Sequence, residues 1–198
     1  MSAVLGVDPS LTMSGCALVT WASVEHAGWE TWQARGIRPE VETVETNRRR
    51  IRLMLSAILA TVPARLSLSV VEGPAMGAKH TPLADERAGL RWMLVDQLLA
   101  RGPVVLVTPT ARQVLAHSDP IPRGTKPAAR KRLVLDSVRS MVPGATVPDH
   151  NVADAVALAA AGAHRLGLVV PYTAKQETAH AKVAWPVNSE RVLAGMGI

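Results

Sequence analysis

VLGVDPS, residues 4–10, is the stretch that decides the fold, because an apolar strand here ends at an acidic residue, Asp8. Burying a carboxylate at such a position is costly unless its charge is paired or holds a metal ion. LSVVEG, residues 68–73, repeats the pattern and ends a second apolar strand at Glu72. Two strand ends therefore present carboxylates that need a partner.

A helix farther along the chain adds acidic residues. DHNVAD, residues 149–154, opens an alanine-rich stretch and carries Asp149 and Asp154. Asp154 lies one turn into a nearly apolar helix, which indicates that its side chain faces a partner. Together with Asp8 and Glu72 it would form an all-oxygen set of ligands, as Mg²⁺ prefers. Taken singly, Asp8 also fits a turn residue, and Glu72 also fits a solvated strand end.

Hydrophobic spacing and turn residues predict strands that alternate with helices. The first three strands follow one another closely, which indicates an antiparallel start to a sheet. Helices separate the later strands, and this order predicts an α/β fold with a mixed sheet covered by helices. The predicted strands span residues 3–8, 14–20, 25–34, 66–72 and 103–107, and the predicted helices span 41–61, 83–101, 109–116, 127–141 and 150–166.

The composition fits one domain with a tail. Of the 198 residues, 48% are hydrophobic, which is sufficient for a core. We expect the domain over residues 1–168 and a C-terminal extension of uncertain order over 169–198. The single cysteine, Cys16, excludes an internal disulfide framework. Because the chain has neither a signal pattern nor an apolar run near the ~20 residues of a membrane span, we expect a cytoplasmic protein.

The charge indicates a polyanionic partner. The formal net charge is +6 and the pI is about 10.2, which favours binding to a phosphate backbone. A solvated helix face is the alternative interpretation of the basic segment between positions 110 and 141. The same alternative applies to the arginine run at 48–52. Seven positive residues lie between positions 110 and 141: Arg112, Arg123, Lys126, Arg130, Lys131, Arg132 and Arg139.

The ordered motifs around Asp8, Glu72 and Asp154 resemble the RuvC family of Holliday junction resolvases over about residues 3–166. That resemblance implies the RNase H-like fold, with a five-stranded mixed sheet and a nuclease domain over residues 1–168. It also implies a homodimer that nicks four-way DNA junctions with Mg²⁺ or Mn²⁺. Departures from the bacterial pattern suggest a phage-type member, acting in a bacterial or phage-infected cell.

The resemblance also implies roles for the acidic residues. Asp8 would bridge two metal ions, and Glu72 and Asp154 would each hold one. The family carries an Asp or His three residues before the last Asp, and here that position is Asn151. Residues 151 and 154 share a helix face. The fourth ligand therefore stays open between Asn151, His150 and Asp149, and Asp149 also fits the N-cap of the helix.

By local pattern, Arg112 and Lys131 match family positions that contact DNA or assist the chemistry. Lys131 would stabilise negative charge in the transition state. Bacterial members place an aromatic residue after the Glu-bearing strand. This chain has no aromatic residue there, and Met76 is the candidate for an apolar wedge. The expected DNA contacts are Arg112, Arg123, Lys126, Arg130, Lys131, Arg132 and Met76.

Three rival functions remain. An actin-like or sugar-kinase ATPase shares the first glycine and aspartate pattern but needs a second lobe, so we expect no nucleotide cofactor. A non-catalytic junction-binding protein is conceivable because Asn151 lacks a charge. A broader RNase H-like nuclease would cut flaps and other branched structures, and the sequence separates it poorly from a strict junction resolvase.

Overall fold

The computed structural model describes residues 1–23, 26–74 and 83–186. These residues form five strands and six helices. In chain order they are β1 (Ser2–Asp8), β2 (Met13–Ser23), β3 (His26–Arg35), α1 (Val44–Leu59), β4 (Leu68–Glu72), α2 (Ala84–Leu99), β5 (Val104–Val107), α3 (Pro109–Ala116), α4 (Pro127–Met141), α5 (His150–Arg165) and α6 (Ala174–Ala181).

The strands form one open sheet in the order β3-β2-β1-β4-β5. β1 pairs antiparallel with β2 and β2 antiparallel with β3, whereas β1 with β4 and β4 with β5 are parallel. The predicted five-stranded mixed sheet flanked by helices is therefore confirmed. Because β1 and β4 are adjacent and parallel, their carboxyl ends, Asp8 and Glu72, meet at one edge of the sheet.

Helices cover both faces of the sheet and divide the core in two. On one face α5 packs over β1 and β2, and every residue from Val152 to Ala163 is buried. On the other face α1 and α2 pack over side chains such as Leu5, Val7 and Leu18. Burial of these apolar side chains supplies the main driving force for the fold.

Two glycines let α5 approach the sheet closely. A Cβ atom at Gly6 would overlap the carbonyl oxygen of Ala155, and one at Gly15 would overlap the carbonyl oxygen of Asn151. Only a residue without a side chain fits at such a distance from a helix backbone. The close approach brings the first turns of α5, and with them Asp154, beside the end of β1.

The tail contains one element that the hydrophobic pattern did not predict. Helix α6 begins after Thr173, which forms a capping box with Gln176, and it packs on α3. Gln176 Nε2 donates to the Leu115 carbonyl oxygen at 2.8 Å. The helix has only eight residues and lacks a long apolar stripe, so periodicity gives little signal. The division of the chain at residue 168 stays a prediction.

Among residues 1–23, 26–74 and 83–186, no helix combines the length and the apolar character that a membrane crossing requires.

Candidate active site

The structure brings three of the predicted acidic residues together. Asp8 ends β1, Glu72 ends β4, and Asp154 lies on the second turn of α5. One carboxylate oxygen from each lies within 4.8 Å of the other two. The parallel pairing of β1 with β4 aligns the first two residues, and the glycine contacts with α5 bring in the third.

Burial and mutual repulsion perturb these carboxylates. Burial, followed by the charges of Glu72 and Asp154, raises the pKa of Asp8 to about 8. Burial also raises the pKa of Asp154 to about 6, against the opposing effect of Arg112. Burial and the nearby Asp8 raise the pKa of the Cys16 thiol, which lies beneath the site. Such perturbed carboxylates are typical of functional sites and call for positive charge.

Arg112 supplies part of that charge. It lies on α3, whose first turn is capped by Thr108 directly after β5. Its Nε donates to Glu72 Oε2 at 3.0 Å and its Nη1 donates to Asp154 Oδ1 at 2.6 Å. The pKa of Arg112 is raised because the two carboxylates outweigh the effect of burial. The structure therefore places this predicted DNA contact inside the carboxylate cluster.

Asn151 lies at the same site. It lines a cleft of about 500 Å³ together with Asp8, Glu72 and Ser10. Its position one turn before Asp154 on α5 agrees with the shared helix face expected from the sequence. An amide oxygen is a neutral ligand, so Asn151 can complete an oxygen set without adding charge.

Asp149 and His150 have other partners. Asp149 is the N-cap of α5: its Oδ1 accepts from Val152 N at 3.0 Å, and Oδ2 accepts from Gln33 Nε2. His150 Nε2 lies 3.0 Å from Lys131 Nζ. Burial and the Lys131 charge lower the pKa of His150, which favours a neutral ring that accepts from the ammonium group. Of the three candidates for a fourth ligand, Asn151 is the one that faces the cleft.

The remaining predicted DNA contacts lie on or before α4. Arg123, Lys126 and Arg130 are exposed. The side chain of Arg132 is 83% exposed and lies 3.8 Å from Asp136, so this weak pair leaves it available to phosphate. Met76 lies outside the described residues.

Two arginines that the sequence analysis did not single out line the cleft. Arg87 and Arg91 lie one turn apart on α2 and form its wall opposite α5. The two arginines are four residues apart in the helix that follows the Glu72 strand, and this spacing predicts that they share a helix face. In the arginine run at 48–52, by contrast, Arg50 is buried and its Nε donates to the Leu11 carbonyl oxygen at 3.3 Å, which gives it a structural role.

A turn holds the end of β1 in place. Ser14 is buried, its Oγ donates to the Ser10 carbonyl oxygen at 2.9 Å, and it accepts from Ser10 N at 2.8 Å. These bonds fix the chain immediately after Asp8. The sequence pattern around Asp8 gives no signal for this role of the two serines.

The ligand set fits a hard divalent cation. Asp8, Glu72, Asp154 and Asn151 offer only oxygen atoms, which suits Mg²⁺ or Mn²⁺ rather than a softer metal. Burial, followed by repulsion from neighbouring carboxylates, raises the pKa values of Asp8 and Asp154. A bound cation would relieve this repulsion, and Arg112 relieves part of it.

The five-stranded mixed sheet flanked by helices is an RNase H-like fold, and solved structures of resolvases share it. Thermus thermophilus RuvC in complex with a Holliday junction substrate is similar, with a TM-score of 0.58 and 20% identity, over 87% of this chain and 100% of that one. A second T. thermophilus RuvC structure is similar with a TM-score of 0.55 and 20% identity, over 86% of this chain and 99% of that one. Fowlpox virus resolvase in complex with substrate Holliday junction DNA is similar with a TM-score of 0.51 and 10% identity, over 83% of this chain and 99% of that one.

At these identities the likeness shows the fold, and the predicted resemblance to RuvC is confirmed at that level. No family sequence model matches the chain, and no curated protein matches it in sequence.

Proposed function

We propose that the chain is a structure-specific DNA endonuclease that resolves four-way junctions by divalent-metal-dependent phosphodiester hydrolysis. The observation that carries this proposal is the convergence of Asp8, Glu72 and Asp154 within 4.8 Å at one edge of the sheet. The fold shared with resolvases solved on Holliday junction DNA supports it, and so does the basic surface beside the cleft.

In this proposal Asp8, Glu72 and Asp154 hold Mg²⁺ or Mn²⁺, with Asn151 as a neutral ligand and two ions per site. When bound, such ions polarise the scissile phosphate and lower the pKa of the attacking water. The carboxylates must be ionised to act, so the raised pKa of Asp8 makes metal binding stronger as pH rises.

The cationic residues would bind and orient the phosphate backbone. Arg87 and Arg91 line the cleft, and Lys131 of α4 lies beside His150, the first residue of α5. A neutral His150 that accepts from Lys131 fixes the ammonium group near the carboxylates. Lys131 is then positioned to stabilise negative charge that develops on the phosphate.

Exposed residues on α4 and in the segment before it add to the basic surface. Arg123, Lys126 and Arg130 would contact phosphates on the arms of the junction without reading sequence. Such contacts would contribute affinity that does not depend on the DNA sequence.

We also propose a homodimer, because symmetric nicking of a four-way junction requires two active sites. Helix α2 exposes Trp92 by 60%, Met93 by 41% and Leu99 by 59%, and exposed apolar side chains of this size are typical of interaction surfaces. A phage-type role in the cytoplasm of a bacterial or phage-infected cell belongs to the same proposal.

Cleavage of labelled DNA tests the proposed function. A synthetic four-way junction, a linear duplex and a flap are incubated with the protein in Mg²⁺, Mn²⁺ or EDTA. Paired, symmetric nicks on the junction with either metal and none in EDTA are expected. Equal cutting of the flap would favour a broader debranching nuclease. Binding without cutting in any metal would favour a non-catalytic junction-binding protein.

A further inference from the structure

A second group of metal-binding side chains lies where α6 meets α5, outside the carboxylate cleft. One ligand atom from each of His164, Glu177 and His180 lies within 4.8 Å of the others. His164 Nε2 lies 3.2 Å from Glu177 Oε1 and 3.3 Å from Oε2. Ligand atoms of a tetrahedral zinc site lie about 3.4 Å apart, given Zn–N distances of about 2.1 Å. Small side-chain rotations would therefore bring all three to one ion.

His180 has the hydrogen-bonding pattern of a metal-binding histidine. It is buried, and its Nε2 lies 3.0 Å from the carbonyl oxygen of Ala161. A carbonyl oxygen accepts only, so Nε2 carries the hydrogen and Nδ1 keeps a lone pair. Metal-binding histidines usually donate their second N–H to such an acceptor. The Trp185 ring packs against His180, with ring centroids 4.7 Å apart.

Two buried polar atoms at the same place lack partners. Within the part of the chain that the structure describes, His164 Nδ1 and the Tyr172 hydroxyl make no hydrogen bond. The Tyr172 ring centroid lies 4.9 Å from that of His164 and 6.0 Å from that of His180. Because buried polar groups are nearly always satisfied, these two atoms indicate that a further partner, such as a water molecule, belongs at this cluster.

We propose that His164, Glu177 and His180 form a Zn²⁺ site that fastens α6 to α5. Two imidazoles and one carboxylate are a zinc ligand set, with a fourth position left for water. The nitrogen atoms also select against Mg²⁺, which favours oxygen ligands. The carboxylate cleft would therefore bind Mg²⁺, whereas the cluster of two histidines and Glu177 would bind Zn²⁺. This inference does not depend on whether the chain cuts DNA.

Thermal unfolding of the full chain, kept in excess Mg²⁺ to occupy the carboxylate cleft, tests the site. Adding Zn²⁺ at 100 times its Kd should raise Tm by about 5–10 °C. Isothermal titration should give one Zn²⁺ per chain. Replacing Zn²⁺ by Co²⁺ should give the intense visible absorption of a tetrahedral site, which an octahedral oxygen site does not show.

Glu177→Gln is the decisive variant, because this side chain is 49% exposed and its replacement disturbs packing little. It should weaken Zn²⁺ binding at least about tenfold, as should His164→Gln. His26→Gln, an exposed histidine on β3, is the matched control and should bind as the wild type does. The proposal is overturned if Zn²⁺ does not shift Tm, or if Glu177→Gln and His164→Gln keep the full shift. Either result would make the cluster a plain His164–Glu177 ion pair.

Discussion

Arg112 Nη1 donates to Asp154 Oδ1 at 2.6 Å, and the same guanidinium donates to Glu72 at 3.0 Å. The side chains of this bridge are 12–17% exposed, so solvent screens the interaction little. A permanent positive charge thus lies among carboxylates that the proposed function assigns to metal ions. Arg112 therefore stabilises the metal-free protein and competes with a bound cation.

Arg112→Gln should destabilise the metal-free protein by about 2 kcal/mol, because hydrogen bonds between charged groups are lost and the carboxylates remain buried. Mg²⁺ should then stabilise the variant more than it stabilises the wild type, since no guanidinium competes for the carboxylates. Urea unfolding in EDTA and in Mg²⁺ measures both effects.

Arg132→Gln is the matched control for that experiment. Its partner Asp136 lies 3.8 Å away on the surface, and an exposed pair of this kind contributes less than about 0.5 kcal/mol. If Arg112→Gln were as stable as Arg132→Gln in EDTA, the bridge would have no stabilising role.

The stability of the metal-free protein should fall as pH rises from about 4 to about 8. Burial and neighbouring carboxylates raise the pKa of Asp8 to about 8 and burial raises that of Asp154 to about 6, whereas an aspartate in the unfolded chain titrates near 4. Across this window the native state keeps protons that the unfolded state has released. The contribution of these bound protons to the free energy of unfolding is thus fully present below about pH 4 and is lost as pH rises through about 8.

Tm measured in EDTA from pH 5 to pH 9 checks this dependence, and Asp8→Asn should flatten it. Asp119→Asn, which changes an exposed loop carboxylate, should leave it unchanged. Mg²⁺ should raise Tm most at the alkaline end, because metal binding needs ionised carboxylates. An equal slope in Asp8→Asn and wild type would refute the assignment of the raised pKa to Asp8.

Lys131→Ala should weaken junction binding and reduce the slope of log K against log salt concentration by about 1, since one phosphate contact is lost. Arg65→Ala serves as the control, because Arg65 is exposed just before β4, at the edge of the sheet opposite Glu72. Fluorescence anisotropy with a catalytically silent protein at several salt concentrations gives both slopes. An unchanged slope for Lys131→Ala would remove this residue from the DNA contacts.

The sequence was sufficient for the sheet and for the acidic cluster because both depend on local patterns. The sequence alone predicts the apolar strands that end in Asp8 and Glu72 and the alanine-rich helix that carries Asp154. Parallel pairing and right-handed connections then leave few ways to arrange the elements.

Side-chain partners were less predictable, because they depend on contacts between distant elements. Arg112 is one of many arginines in the sequence, and only the packing of α3 beside β4 and α5 shows that it bridges two carboxylates. The cluster at His164 is similar: its members are separated by up to 16 residues, and α6 gave little periodic signal.

Cleavage of a labelled four-way junction in Mg²⁺ by the wild type and by Asp8→Asn tests the central claim most directly. Asp8→Asn should bind the junction as tightly as the wild type and cut it at least about 100-fold more slowly, since even outer-shell changes at metal sites cost 10–100-fold. Asp119→Asn should cut at the wild-type rate. Cleavage by Asp8→Asn at an undiminished rate would contradict the assignment of the carboxylates at the ends of β1 and β4 and on the second turn of α5 as the catalytic metal site.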